Sequence, residues 1–214
     1  MIPLPPGDAD LRKTDRKADP AGRFVGGTMT LGDPRPGAGS LWSYSDGRAV
    51  ELVGGVTTSN GLASSADGST LFYIDTPTRQ IDAFTYAVAT GAVADRRTVV
   101  DVPAGAGDPD GVCIDAEGGF GVALWGGAAV HRYVDGRLAA VAERPTPYVA
   151  CPTFAGAELG ELVVTTASEP FGHDDVPPGA GDLYVAPAGA QGTPAHLASL
   201  DALLGPRSDA ESFT

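Results

Sequence analysis

The sequence predicts an all-β fold assembled from repeated blades. Three features carry that expectation: a turn-rich composition, a recurring turn-and-strand phrase and a long repeat period. Thirty glycines and eighteen prolines are scattered between apolar runs across 214 residues, a pattern of many short strands joined by turns. Twenty aspartates stand against seven glutamates, and because Asp favours turns where Glu favours helix interiors, a helical bundle is disfavoured. With 43% hydrophobic and 19% charged residues the chain has a globular balance.

The recurring phrase is an acidic or polar turn, a Gly and then an apolar strand. It appears as Asp19-Pro-Ala-Gly-Arg-Phe24, Asp67-Gly-Ser-Thr-Leu71, Glu117-Gly-Gly-Phe120 and Ala157-Glu-Leu-Gly-Glu-Leu162. The strand starts at 24, 71, 120 and 162 are separated by 47, 49 and 42 residues. A second strand follows in each unit, at Ser40, Gln80, Ala129 and Gly181, and three of these adjoin Asp46-Gly47, Thr90-Gly91 or Asp135-Gly136. Such dipeptides close tight β-connections. Third strands, RAVELVG and RRTVVDV, lead into the next unit. Three to four strands at a period in the forties is the signature of a β-propeller blade, and a β-sandwich, which lacks that period, ranks second. About four to five blades fit into this length.

A net charge of −13 argues against nucleic-acid and membrane partners, which need clustered Lys and Arg. Five of the fourteen basic residues fall at Arg12, Lys13, Arg16, Lys17 and Arg23, a run that reads as a solvated face. Residues 1–10 form a Pro-rich start with no basic segment followed by an apolar one, and Phe120 to Val130 is too short for the ~20 residues that span a bilayer. The chain is expected to be soluble and cytoplasmic. Cys113 and Cys151 lie in apolar contexts without C-x-x-C spacing, so they are expected to be buried free thiols rather than disulfide or zinc partners.

The single asparagine, Asn60, stands in Thr58-Ser-Asn-Gly-Leu62. Asn-Gly is a favoured turn dipeptide. However, Asp108-Pro-Asp-Gly-Val112 places Asp110 fifty residues later, about one blade period, so both side chains can point to the same end of a central channel. Two oxygen donors from adjacent blades could then hold one hard divalent cation. The turn reading and the ligand reading weigh equally on spacing alone. Trp42 and Trp125 read as packing residues, and His131 as a blade-face residue. His173-Asp174-Asp175 reads as a solvated loop. No nucleophile elbow of the G-x-S-x-G type is present.

From Arg12 to about Ser168 the words resemble those of the gluconolactonase/regucalcin (senescence marker protein) family. The matching phrases are DPAGRF with GGTM, SNGLA, ADGSTLFYIDTPTRQIDAF, DPDGVCIDAEGGFGVALWGG with VHRY, and TTASE. The resemblance implies a six-bladed β-propeller with one divalent metal in the channel, whether calcium, zinc, magnesium or manganese. It implies that Asn60 is the neutral metal ligand, that Asp110 is a carboxylate ligand and the general acid/base, and that Arg12 binds substrate. In the family's R-x-N-D-G-K-x-D-P phrase, Thr14 stands here in place of Asn and Arg16 in place of Gly. The family's third ligand is a Glu in a Glu-Gly-Pro phrase, and this sequence has no Glu before Glu51. Six blades at this period exceed the length by about one to one and a half blades, so the sequence resembles a member that begins late.

The expected organisation is a start at 1–10, a propeller over 11–199 and a tail over 200–214 with a short helical turn. The expected activity is metal-dependent hydrolysis of a sugar lactone. The alternatives are a truncated, catalytically silent calcium-binding propeller and a related hydrolase of another small ester. Open blade edges imply self-association as a possible partner mode.

Overall fold

A computed structural model describes residues 10–168 and 175–199. The Pro-rich start up to residue 9, the tail from residue 200, and His173 and Asp174 lie outside the described residues. Fifteen strands form four antiparallel sheets among the described residues. The first sheet contains β1 (Leu11–Ala18), β2 (Phe24–Thr30), β3 (Gly39–Ser45) and β4 (Arg48–Val56). The second contains β5 (Ser59–Ser64), β6 (Thr70–Asp75), β7 (Gln80–Ala87) and β8 (Ala92–Asp101). The third contains β9 (Asp108–Ile114), β10 (Phe120–Trp125), β11 (Ala129–Val134) and β12 (Arg137–Glu143), and the last β13 (Val149–Ala155), β14 (Glu161–Thr166) and β15 (Leu183–Pro187). Every sheet is a meander in chain order, which makes each one a blade. The expected all-β propeller fold is what the chain adopts, with four blades among the described residues where about four to five were expected. No helix among the described residues is long and apolar enough to cross a membrane.

The repeat phrases mark the second strand of each blade, so the sequence reading located β2, β6, β10 and β14 but passed over the first strands. Those first strands neighbour one another in series, β1 against β5, β5 against β9 and β9 against β13, and they line the central axis. Asn60-Gly61 lies inside β5 and Asp110-Gly111 inside β9, which corrects the turn reading of both dipeptides. The glycines answer a packing demand. A Cβ at Gly61 would meet the Asp110 carbonyl oxygen at 2.7 Å, and one at Gly111 would meet the Ala150 carbonyl oxygen at 2.7 Å. Each glycine therefore lets the next blade's first strand approach. Asp46-Gly47 and Asp135-Gly136 are turns as expected, with both residues at positive φ (50° and 70°; 49° and 73°), the geometry of a type I′ hairpin.

Apolar layers fill the spaces between blades. Leu41, Leu62, Tyr73 and Phe84 pack between the first and second blades. Ile74, Ile81, Val112 and Leu124 pack between the second and third, and Val130, Val149 and Val164 between the third and fourth. A fully buried aliphatic side chain of this kind contributes about 1.5–3 kcal/mol, so stability accrues at blade interfaces and leaves the outer strands β4, β8 and β12 largely exposed.

The acidic turns of the repeat are hydrogen-bonding hubs. Asp19 is buried and accepts the Ala21 and Arg23 amides at 2.9 and 2.7 Å, the Arg23 guanidinium at 2.7 Å and the Tyr86 hydroxyl at 2.6 Å. Asp115 repeats the device, accepting the Glu117 and Gly119 amides and the Arg132 guanidinium. Beyond β15 the chain runs back to the first blade, where the Ser199 amide donates to the Gly22 carbonyl oxygen at 3.0 Å.

Candidate functional site

One end of the axis opens into a cavity of about 800 Å3 bounded by β1, β5, β9 and β13, the turn after β6 and Trp125. Its volume falls in the range of small-molecule sites. Arg12, Asn60 and Asp110 all line it, so the three residues singled out from sequence converge although they lie on three different blades. The channel strand of each blade contributes one of them because equivalent positions in successive blades face the same end.

The amide of Asn60 is oriented by a relay. Thr76 donates its single hydroxyl proton to the Pro109 carbonyl oxygen at 2.8 Å and so must accept from Asn60 Nδ2, also at 2.8 Å. The Asn60 carbonyl oxygen is thereby left as its donor atom toward a ligand. The same relay ties β5 to the residue immediately before Asp110. Thr14, where the family phrase has Asn, donates its hydroxyl to the Ser59 carbonyl oxygen and pins β1 to β5.

Asp110 makes no hydrogen bond through its carboxyl group among the described residues, and burial foremost, then the charge of Asp15, push it up to about 7, opposed by Arg12. Asp15 lines the same cavity. One of its oxygens accepts the Arg16 amide at 3.1 Å, while Oδ2 is buried without a partner. Burial raises Asp15 as well, and Lys17 opposes the shift. Two raised carboxyl groups in one cavity, one of them with an orphaned oxygen, form a site poised for a proton or a cation.

Among the described residues no three His, Cys, Asp or Glu side chains cluster as a metal centre. The available set is an amide oxygen with two carboxylates, hard oxygen donors that fit a cation such as calcium, magnesium or manganese better than zinc. The orphaned Asp15 oxygen is the observation that makes the fit.

The structure corrects several sequence expectations here. The basic run is more than a solvated face, since its exposed members Arg12 and Arg16 also face the cavity. Arg12, Lys13 and Arg16 line the cavity, Lys17 donates to the Val112 carbonyl oxygen at 2.9 Å and Arg23 pairs with Asp19 at 2.7 Å. Trp125 packs as expected, its ring 4.8 Å from that of Tyr148, and also lines the cavity. Sequence reasoning missed Asp15, Arg16 and Trp125 as site residues. The signal for the first two was their place in the phrase that begins at Arg12. His131 is a blade-face residue 3.2 Å from the Tyr133 hydroxyl. Cys113 and Cys151 are free thiols, with Cys113 buried and Cys151 half-buried at the cavity wall, and burial pushes them up to about 11 and about 12. They are protonated and unreactive near neutrality.

Residues 3–168 match the family model described as the SMP-30/Gluconolactonase/LRE-like region. Regucalcin of Xenopus laevis is 37% identical over 172 residues, which are 76% of this chain and 57% of that protein. A calcium-binding regucalcin of Agrobacterium tumefaciens superposes with a TM-score of 0.81 at 30% identity, covering 89% of this chain and 66% of that one. A gluconolactonase of Xanthomonas campestris superposes with a TM-score of 0.64 at 25% identity, over 86% of this chain and 60% of that one. The chain thus spans a little over half to about two thirds of the length of these relatives. Matched through its first three blades and into the fourth, the chain belongs to the SMP-30/gluconolactonase/LRE-like family.

Proposed function

We propose that the chain hydrolyses a sugar lactone in this cavity, with Asn60 and Asp110 as ligands of one divalent cation and Asp15 beside them as a second carboxylate. The observation that carries the reading is the convergence of an oriented amide oxygen, an unbonded carboxyl group near neutrality and an orphaned carboxylate oxygen in one small-molecule cavity. The Xanthomonas gluconolactonase and the calcium-binding regucalcin support the substrate class and the metal.

A cation held there would supply polarisation of the lactone carbonyl and a more acidic bound water. The chain's own residues do the rest. Arg12 offers fixed donors to a carbonyl or hydroxyl oxygen of the substrate. Asp110 takes a proton from the attacking water and returns it to the ring oxygen as the ester bond opens. The face of Trp125 supports the sugar ring.

The test is hydrolysis of D-glucono-1,5-lactone by the protein and by Asp110→Asn, each with and without a chelator. Loss of activity in chelator and a drop of about 10²-fold or more in Asp110→Asn are expected. Equal, chelator-insensitive rates for the two proteins refute the proposal.

A further inference from the structure

The cavity gathers basic side chains in a chain that is acidic overall. The protein carries a net charge of −13, yet Arg12, Lys13 and Arg16 all line this one space. Elsewhere four arginines are matched to carboxylates: Arg23 with Asp19, Arg79 with Asp108, Arg96 with Asp82 and Arg132 with Asp115. Arg12 and Arg16, in contrast, make no side-chain hydrogen bond or ion pair among the described residues. Lys13 lies over the Tyr44 ring, 5.6 Å from its centroid. Of the acids lining the cavity, Asp108 is already paired with Arg79 at 2.7 Å. Arg12 and Arg16 therefore face the cavity beside Asp15 and Asp110, and neither guanidinium is bound to either carboxylate.

The strand geometry explains why these arginines are not drawn elsewhere. A bulge in the β1 to β2 pairing falls between Lys13 and Arg16, and the register partner of Arg16 is Gly26. No cross-strand side chain is there to pair with it. An unpaired guanidinium at the mouth of a cavity is a ready receptor for a planar or tetrahedral oxyanion, and a neutral sugar lactone has no group that needs it.

We infer that the substrate is a lactone bearing a second, anionic group, a carboxylate or a phosphate, which Arg16 together with Arg12 holds at the cavity mouth. The inference rests on the lactonase reading and narrows its substrate class. Arg16 acts in selection and stands outside the bond-breaking step.

The experiment measures kcat/KM for matched pairs: D-glucono-1,5-lactone against its 6-phosphate, and D-glucono-1,4-lactone against D-glucaro-1,4-lactone. The first pair reads phosphate and the second carboxylate. The expected result is a preference of about tenfold or more for the anionic member of at least one pair, the worth of one charge-assisted contact. Added NaCl lowers that preference. Arg16→Gln removes most of it and Arg16→Glu reverses it, chiefly through KM. Arg16 is exposed, so both variants fold, and a melting curve for each checks this. Equal kcat/KM within both pairs, or a preference that Arg16→Glu leaves intact, overturns the inference while the hydrolase reading stands. No turnover of any of the four lactones refutes the hydrolase reading and this inference with it.

Discussion

The substitution Gly111→Ala tests the reason for the glycine that follows Asp110. An added Cβ would lie 2.7 Å from the Ala150 carbonyl oxygen, 2.7 Å from Cys151 Sγ and 2.8 Å from Cys151 Cα. Two of these three atoms belong to backbone, so rotation of a side chain cannot relieve the contact. The first strands β9 and β13 must separate by about half an ångström, straining the layer that contains Val149 and Val164. Overpacking of this kind costs about 1–3 kcal/mol. The lower backbone entropy of unfolded Ala offsets about 0.4–1 kcal/mol of it. For a domain of this size about 2–4 °C accompanies each kcal/mol, so a melting temperature lower by several degrees is expected. Gly160→Ala is the control, because a Cβ there meets nothing within 4 Å and φ is not positive, and it should be neutral or slightly stabilising. The assay is thermal unfolding of both variants followed by circular dichroism. If Gly111→Ala melts with Gly160→Ala, blade approach is not what requires the glycine.

Two further predictions concern buried carboxylates. With Asp110 raised from the ordinary 3.8 to about 7, the native protein without metal holds this proton where the unfolded chain has released it. Stability from this group is therefore present below about pH 4 and is lost as pH rises to about 7, by up to about 4 kcal/mol. Melting in chelator from pH 4.5 to 8 should fall more steeply for the wild type than for Asp110→Asn, and parallel curves contradict the assignment. Asp19→Ala deprives four donors of an acceptor with no solvent exposure, leaving Tyr86 without its partner and Arg23 with only the Val88 and Ala89 carbonyl oxygens. A loss of about 3–5 kcal/mol in urea unfolding is expected, against a much smaller loss for Asp67→Ala in an exposed turn. Similar losses in the two would refute the hub role of Asp19.

Much of this was legible in the chain because blades repeat. The acidic turn, the second strand and the Asp-Gly hairpin recur with the period, and each is a local event that neighbouring residues dictate. The first strands were harder to read. Their residues are short, polar or glycine, as in SNGLAS and DPDGVCI, and they lack the alternation that marks a half-buried strand. What makes them strands is the blade on either side, which no window of sequence contains. The same limit hid Asp15, Arg16 and Trp125, each of which reads as surface or core until three other blades are set around it.

Beside the family resemblance that singles out Arg12, the sequence by itself determined the all-β class, the blade period and the one-period spacing of Asn60 and Asp110. These follow from turn chemistry and from repetition, both short-range in the chain. Only the tertiary structure decided that Asn60-Gly61 and Asp110-Gly111 are strands and that a Thr76 relay orients the amide. It also decided that a partly exposed basic run lines a cavity. Those facts depend on contacts between residues about 15 to 100 positions apart, such as Asn60 with Thr76, Gly61 with Asp110 and Lys17 with Val112, and such contacts exist only once the blades have packed.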